Sequence, residues 1–357
     1  MDRPRVRDFG IRLGHMETGS LNAITDVEGV GVGHCTLIEG DDIRTGITAI
    51  QPHQGNVFQR KVTAAVDLFN AYGKTTGIPQ IIYEGVRETL IILTETLNVW
   101  RAANAIVDYF QERFDMEPKS INPVVGETNG SYLTDNFSRP LGKVEVFKAM
   151  DIANSIKGMG SVPEGNVGGG TPMTGYGFKG GIGTSSREYK DTKVGVLVQL
   201  NCGRKEDLLI DGLPIGREVE DINPKPSKGN SIMMIVATDL DLTSRQLWKV
   251  GKRAALGLAR TGSYSSNGSG DFTLAFSTGK KSLTQLFDND IESGAISGDQ
   301  FLSPIYKATV ETTEEAIINA LFKAETMVGY EGHIRYALPL DQVGEIFDRH
   351  NYGLDLS

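Results

Sequence analysis

Residues 221–240 read DINPKPSKGN and then SIMMIVATDL, and the join between Asn230 and Ser231 is the most informative point in the chain. The first ten residues carry two prolines, two lysines and a glycine, with hardly anything to bury, which predicts an exposed linker. Residues 231–238 (SIMMIVAT) are almost wholly apolar from the second position on. That pattern predicts a strand covered on both faces. Ser231 therefore stands at an abrupt border between solvent and core.

Working outward, residues 45–51, 194–200 (VGVLVQL) and 272–277 (FTLAFS) give further strands by the same apolar, β-branched signature. Residues 87–114 read as a helix, because Leu90, Leu93, Leu97, Trp100, Ile106 and Phe110 recur at helical spacing. A second helix is expected over 243–260, capped by Thr243, lined by Leu247, Ala254 and Leu258, and followed by Gly262. A third is expected over 312–328, with Thr313 as cap and Glu314 and Glu315 in a first turn that favours acids. Mixed elements without a long alternating strand–helix run indicate a layered α/β or α+β protein. The helix at 243–260 would carry the chain from the Ser231 strand to a neighbouring strand at 272–277.

Composition narrows the function classes. With 45 acidic and 36 basic side chains the net charge is −9, and no Lys/Arg run offers the basic footprint of a nucleic-acid binder. No apolar run reaches the 18 or so residues of a membrane helix. Only Cys35 and Cys202 occur, too few for a disulfide scaffold or a cysteine zinc site. The start, MDRPRVRDFGIRLGH, has no apolar core of a secretory signal, so a cytoplasmic protein is expected. Glycine is abundant, 43 of 357, and clusters in residues 165–183 (GNVGGGTPMTGYGFKGGIG) and 260–271 (RTGSYSSNGSGD). Such clusters mark sharp turns or close backbone approach.

The chemistry-bearing patterns are sparse. Gly175-x-Gly177-x-x-Gly180 matches a dinucleotide fingerprint in letters, but lacks the strand before it and the helix after it that the fingerprint needs. His15, His34, His53, His333 and His350 show no metal-ligand spacing, and no serine sits in a G-x-S-x-G elbow. Two serines remain. Ser231 starts a core strand, and Ser269 lies in the turn Asn267-Gly268-Ser269-Gly270-Asp271. From the residues alone, ordinary turn chemistry accounts for the second more readily than catalysis does.

The ordered set of motifs resembles the self-processing N-terminal-serine aminopeptidases, the family of L-aminopeptidase/D-Ala-esterase/amidase and the β-aminopeptidases. It runs from Ile24-Thr25-Asp26-Val27 and Val32-Gly33-His34 through Pro123-Val124-Val125-Gly126-Glu127-Thr128 and the glycine-rich stretch to Val196-Leu197-Val198-Gln199-x-Asn201. It closes with Ser231-Ile232, Ala237-Thr238-Asp239, Arg260-Thr261-Gly262 and Asn267-Gly268-Ser269-Gly270-Asp271.

The resemblance implies a single four-layer αββα sandwich over residues 1–357, similar to N-terminal-nucleophile hydrolases but differently connected. It implies self-cleavage at Asn230–Ser231 into residues 1–230 and 231–357, with Ser231 as nucleophile. Ser269 and Asp271 would support Ser231, Asn201 would donate to the oxyanion, and Tyr132 is a second candidate donor. Glu127 would receive the substrate ammonium, and Gly169 and Gly170 would let backbone approach the substrate. No metal or organic cofactor is implied. Partners are small peptides, amides or esters with a free amino terminus, of L-α, D-alanyl or β type, and a second copy of the chain in a homo-oligomer, as a tetramer of αβ units.

The chemistry is coherent, since a serine hydroxyl needs a base. A freed α-amino group, with a reference pKa of about 7.7–8.0, is partly unprotonated at neutral pH and can be that base. Two other readings compete. One is an acyltransferase of the ornithine-acetyltransferase type, which would call for a threonine nucleophile. The other is an uncleaved, non-catalytic homologue, which would have no need of Ser231, Ser269, Asp271 and Asn201 together.

Overall fold

In the computed structural model, which describes residues 3–225, 230–282 and 299–351, two sheets lie face to face at the centre. Their strands in chain order are β1 (Gly31–Glu39), β2 (Ile43–Gln51), β3 (Val62–Ala71), β4 (Val86–Arg87), β5 (Ile91–Glu95), β6 (Val124–Thr128), β7 (Gly181–Tyr189), β8 (Thr192–Asn201), β9 (Ser231–Leu240) and β10 (Gly270–Lys281). The first sheet has the order β1-β2-β5-β6 and the second β4-β3-β10-β9-β8-β7. The helices that cover them are α1 (Val99–Phe114) and α2 (Lys143–Ala153) on the first sheet, and α3 (Ser244–Gly251), α4 (Ala254–Arg260) and α5 (Ser303–Lys323) on the second. The result is the four-layer αββα stack expected above.

Strand β9 shows why this sequence gives this stack. Successive side chains of a strand alternate between faces. Ile232, Met234 and Val236 enter the core under α3, α4 and α5, whereas Met233, Ile235 and Ala237 enter the core between the sheets. A strand buried on both faces cannot alternate with polar residues, hence the unbroken apolar run. Ser231 has the parity of Met233, so it faces the first sheet. Gly126 on β6 packs against this face: a Cβ at that position would lie 2.4 Å from the Met233 Cε, so the methionine tip would have to move.

β9 and β10 are parallel, and α3 and α4 form the crossover that parallel pairing demands. Thr243 caps α3 through a hydrogen bond from the Gln246 N–H. The single helix expected over 243–260 is two, broken at Lys252 and Arg253.

Two other expectations need correction. The helix expected over 87–114 begins only at Val99; its first part is β4 and β5. The run Ile91–Glu95 is buried on both faces, so its apolar residues mimic a helical repeat without forming one. The third helix starts at Ser303, with Pro304 in its first turn, and ends at Lys323. Thr313 is no cap: its hydroxyl donates to the Thr309 carbonyl inside the helix. Glu314 and Glu315 are likewise mid-helix and buried. Residues Met327–Val328 instead pair with Ile334–Arg335.

Gly175-x-Gly177-x-x-Gly180 forms a tight hairpin, Thr174–Gly175 against Phe178–Lys179, with positive φ at Tyr176 (52°) and Gly177 (76°). Of the linker expected over 221–230, residues 226–229 lie outside the described residues. Asp221, Asn223 and Lys225 are exposed.

Candidate active site

Ser231 is the first residue of β9 and is 6% exposed. Ladder pairing puts Asn201 directly opposite it on β8 and Gly270 beside it on β10. Both contacts follow from register alone. In an antiparallel pair, opposite residues project from the same face, so the Asn201 and Ser231 side chains share the space between the sheets.

The Gly270 N–H makes two hydrogen bonds, each 3.1 Å long. One goes to the Ser231 Oγ and the other to the carbonyl oxygen of Asn230. The residue before the nucleophile is held at its other end too. Asn230 Oδ1 accepts from the Gly203 N–H at 3.2 Å, and its Nδ2 donates to the Ser266 hydroxyl. The bond between Asn230 and Ser231 is thus fixed, with its carbonyl polarised by a backbone donor.

Ser269 and Asp271 flank Gly270. The Ser269 hydroxyl donates to Asp271 Oδ1 at 2.7 Å. Both residues are buried, and burial pushes the Asp271 carboxyl above the usual range, with the Ser265 and Ser269 hydroxyls opposing the shift. The Ser269–Ser231 hydrogen bond that the resemblance implies is absent: Ser269 is turned to Asp271, and Ser231 takes its donor from the backbone.

The Asn201 amide is occupied by backbone groups. Its Oδ1 accepts from the Thr174 N–H at 2.8 Å, and Nδ2 donates to the Asn129 carbonyl at 2.9 Å. One Nδ2 hydrogen remains for another acceptor.

Glu127, on β6 of the facing sheet, reaches the same region through the segment after β3. Its Oε1 accepts the Lys74 N–H at 3.0 Å, with the Lys74 ammonium 3.9 Å away. A Cβ on Gly73 would lie 3.2 Å from that carboxylate, and one on Gly270 would lie 2.7 Å from the Tyr72 carbonyl. Tyr72, Gly73 and Lys74 therefore bridge Gly270 and Glu127. Burial raises the Glu127 pKa, and Lys74 opposes the rise. The neighbouring Glu95 is pushed up to about 8 by burial, with the Glu127 charge adding to the effect.

Three further expected site residues make no hydrogen bond to Ser231. The Tyr132 ring stacks on His333 with centroids 4.4 Å apart and lies 3.5 Å from the Arg335 guanidinium; no hydrogen bond joins it to Ser231. Gly169 and Gly170 fill space between the layers. A Cβ on Gly169 would meet Gln199 Oε1 at 2.1 Å, and one on Gly170 would meet the Ile182 nitrogen at 2.4 Å. Their glycine identity is explained by packing.

The Gly270 N–H and Lys74 escaped the sequence reading. Gly270 lay between two quoted candidates, yet its contribution is a backbone hydrogen, which side-chain patterns do not display. Among the described residues no three His, Cys, Asp or Glu side chains cluster as metal ligands, and no helix is long and apolar enough to cross a membrane.

A serine at the head of a central strand of an αββα stack, an amide across the ladder and a buried carboxylate from the facing sheet define a hydrolase of N-terminal-nucleophile architecture. The chain belongs to peptidase family S58, whose sequence profile matches residues 22–335. It is 39% identical over 377 aligned residues to the β-peptidyl aminopeptidase BapA of Sphingosinicella xenopeptidilytica, covering 96% of this chain and 90% of that protein. Its fold matches the PH0078 protein of Pyrococcus horikoshii OT3 with a TM-score of 0.86 at 42% identity, covering 98% of this chain and 99% of that one. It matches the L-aminopeptidase D-Ala-esterase/amidase of Ochrobactrum anthropi equally well, TM-score 0.86 at 34% identity, over 99% and 100% of the two chains. That enzyme is described as a prototype of the serine aminopeptidases and a variant of the Ntn hydrolase fold. The present protein is accordingly a serine aminopeptidase that hydrolyses peptide bonds. The acyltransferase alternative is not favoured by these relatives.

Proposed function

We propose that the chain matures by cutting itself at Asn230–Ser231 and then releases N-terminal residues from short peptides, amides or esters through an acyl-enzyme on Ser231. The observation that carries this reading is the shared Gly270 N–H, which touches both the Ser231 hydroxyl and the carbonyl that hydroxyl would attack.

In the uncut chain the Ser231 Oγ adds to the Asn230 carbonyl carbon, and the developing oxyanion stays on the Gly270 N–H. Collapse breaks the C–N bond as the proton given up by Oγ passes to the departing nitrogen, leaving an ester on Oγ and a free α-amine on Ser231. Water hydrolyses the ester, giving residues 1–230 and 231–357. The new amine then serves as general base for the same Oγ. In turnover, Oγ attacks the substrate carbonyl, the protonated amine gives its proton to the leaving nitrogen, and water releases the acyl residue. Gly270 N–H and the spare Asn201 Nδ2 hydrogen are the oxyanion donors in this scheme. Ser269, whose hydroxyl donates to Asp271, is assigned in this scheme to support Oγ once the chain is cut. Glu127 receives the substrate ammonium, and its buried carboxylate favours a cationic partner over none.

Assembly as a homo-oligomer, a tetramer of αβ units, belongs to the same proposal. It is supported by exposed Leu68 and Ile82 in one surface groove and Phe69 and Leu256 in another, the two meeting at Trp248. Light scattering after gel filtration tests it. A cytoplasmic workplace fits Cys35 and Cys202, which are both free and buried.

The deciding experiment is intact mass under denaturing conditions with N-terminal sequencing. Two pieces are expected, the smaller beginning Ser-Ile-Met-Met, and Ser231→Ala should stay whole and inactive. A wild-type chain that stays uncut yet cleaves peptides would overturn the amine-as-base scheme.

A further inference from the structure

Arg335 is 1% exposed, and among the described residues no carboxylate pairs with it. Its Nε donates to the Thr174 hydroxyl at 3.1 Å, but the buried Nη2 has no hydrogen-bond partner. Burial holds its pKa below the ordinary arginine value, and the Tyr132 hydroxyl, a neutral partner, opposes the drop. A guanidinium removed from water costs several kcal/mol, and a cation–π contact returns only about 0.5–2. The remainder calls for an anion.

The guanidinium is held rather than loose. His333 and Arg335 are two residues apart on an extended segment and project from the same side, and the Tyr132 ring lies between them. Nε is fixed on Thr174. The backbone N–H of that threonine is bonded to Asn201 Oδ1, and Asn201 faces Ser231 across the ladder. Arg335 thus stands two side chains from the nucleophile, on the Asn201 side of it, whereas Glu127 approaches through Lys74, Gly73 and Gly270 on the other neighbouring strand.

We propose that Arg335 is a carboxylate-binding residue of the active site, which takes the free C-terminal carboxylate of the leaving part of a short peptide. This rests on the assignment of Ser231 as nucleophile. A leaving group of one or two residues spans about 3.5–7 Å, a reach that fits a cation two side chains away. A planar guanidinium offers a fork to a carboxylate that no neutral group can match. Tyr132, on this view, is a positioning residue that keeps the fork flat and aimed. The enzyme would read both ends of its substrate, the ammonium at Glu127 and the carboxylate at Arg335, and so prefer very short peptides to long ones.

The test compares β-alanyl-alanine, β-alanyl-alanine amide and β-alanine p-nitroanilide on the processed wild-type enzyme. The free acid is expected to exceed the amide by about 10- to 100-fold in kcat/KM, mostly through KM. In Arg335→Met that preference should vanish by loss on the acid alone, and Arg335→Lys should restore part of it. Equal turnover of acid and amide by the wild type would overturn the proposal, whether or not the variants fold. So would equal losses on all three compounds in a folded, processed Arg335→Met, which would mark a structural arginine. Failure of the wild type to cleave these three and the matching L-alanyl and D-alanyl compounds would instead sink the reading of Ser231 as nucleophile, and the role of Arg335 with it.

Discussion

The backbone N–H of Gly270 points at the carbonyl oxygen of Asn230 from 3.1 Å, and the same hydrogen reaches the Ser231 hydroxyl at an equal distance. A methyl group on Gly270 would lie 2.7 Å from the Tyr72 carbonyl and 3.1 Å from Ser231 Oγ, so the strand end would have to shift. Gly270→Ala is therefore expected to slow self-cleavage by about 10²–10³, the usual cost of losing an oxyanion donor. A time course of intact mass reads this directly, and cutting at the wild-type rate would remove Gly270 from the scheme.

Glu127→Gln keeps the hydrogen bond from the Lys74 N–H but loses the charge that a substrate ammonium would seek. KM for free-amine substrates should rise at least about tenfold, with kcat changed less. The pH behaviour separates this from misfolding. Because burial raises the Glu127 pKa, its carboxylate is lost at a higher pH than usual as the solution is acidified. Wild-type KM should therefore climb on the acid side from above the ordinary carboxylate range, and the glutamine variant should lack that limb.

Arg187 is fully buried between β7 and α5, with Nη2 2.6 Å from Glu315 and Nε 3.4 Å from Glu311. Without this arginine Glu315 keeps Arg7 and the Asn22 amide, and Glu311 keeps Lys307 and the His15 and Met16 N–H groups, but both acids lose their fully buried counter-charge. Arg187→Met should lose about 3–5 kcal/mol of stability in urea unfolding. A loss below about 1 kcal/mol would mean that water reaches these groups.

Glu95 makes stability depend on pH in an unusual direction. Its folded-state pKa of about 8 lies above the unfolded value, so the folded protein holds a proton that the unfolded chain releases. The associated stability is complete below the unfolded carboxylate range and declines as pH rises through 8. Glu95→Gln should flatten that decline between pH 5 and 8. A slope unchanged in the variant would place its origin elsewhere.

The central layer was legible in the sequence because its physics is local. An apolar run without polar alternation means a strand covered twice, and Asn-Gly-Ser-Gly-Asp means a turn. The same logic misled at residues 91–95, where a doubly buried strand repeats apolar residues as a buried helix does. It misled again at Glu314 and Glu315. Acids early in a helical run suggest a first turn, but here each meets an arginine from another part of the chain, Arg260 and Arg187.

The site divides along similar lines. Ser231 stood out at the border of linker and core strand, but the roles of Ser231, Asn201, Ser269 and Asp271 came from the resemblance; the register that brings Asn201 and Gly270 beside Ser231 appears only in the fold. The pairing of Lys74 with Glu127 joins residues 53 apart in sequence, and the unpaired charge of Arg335 exists only once every neighbour is in place. Neither leaves a pattern in the chain.

The buried acids of α5 carry one more consequence. Glu315 pairs with Arg7 and Arg187, so its partners lie before the Asn230–Ser231 bond while the helix lies after it. The uncut chain makes these contacts within one molecule, at a rate that dilution cannot change. If the chain cuts itself as proposed, the same contacts would then join two separate fragments. Reassembly of a denatured mature enzyme would then be a second-order event, slowing in proportion as the fragments are diluted, while Ser231→Ala would refold at one rate at every concentration. Maturation would leave the fold in place and discard the means of making it a second time.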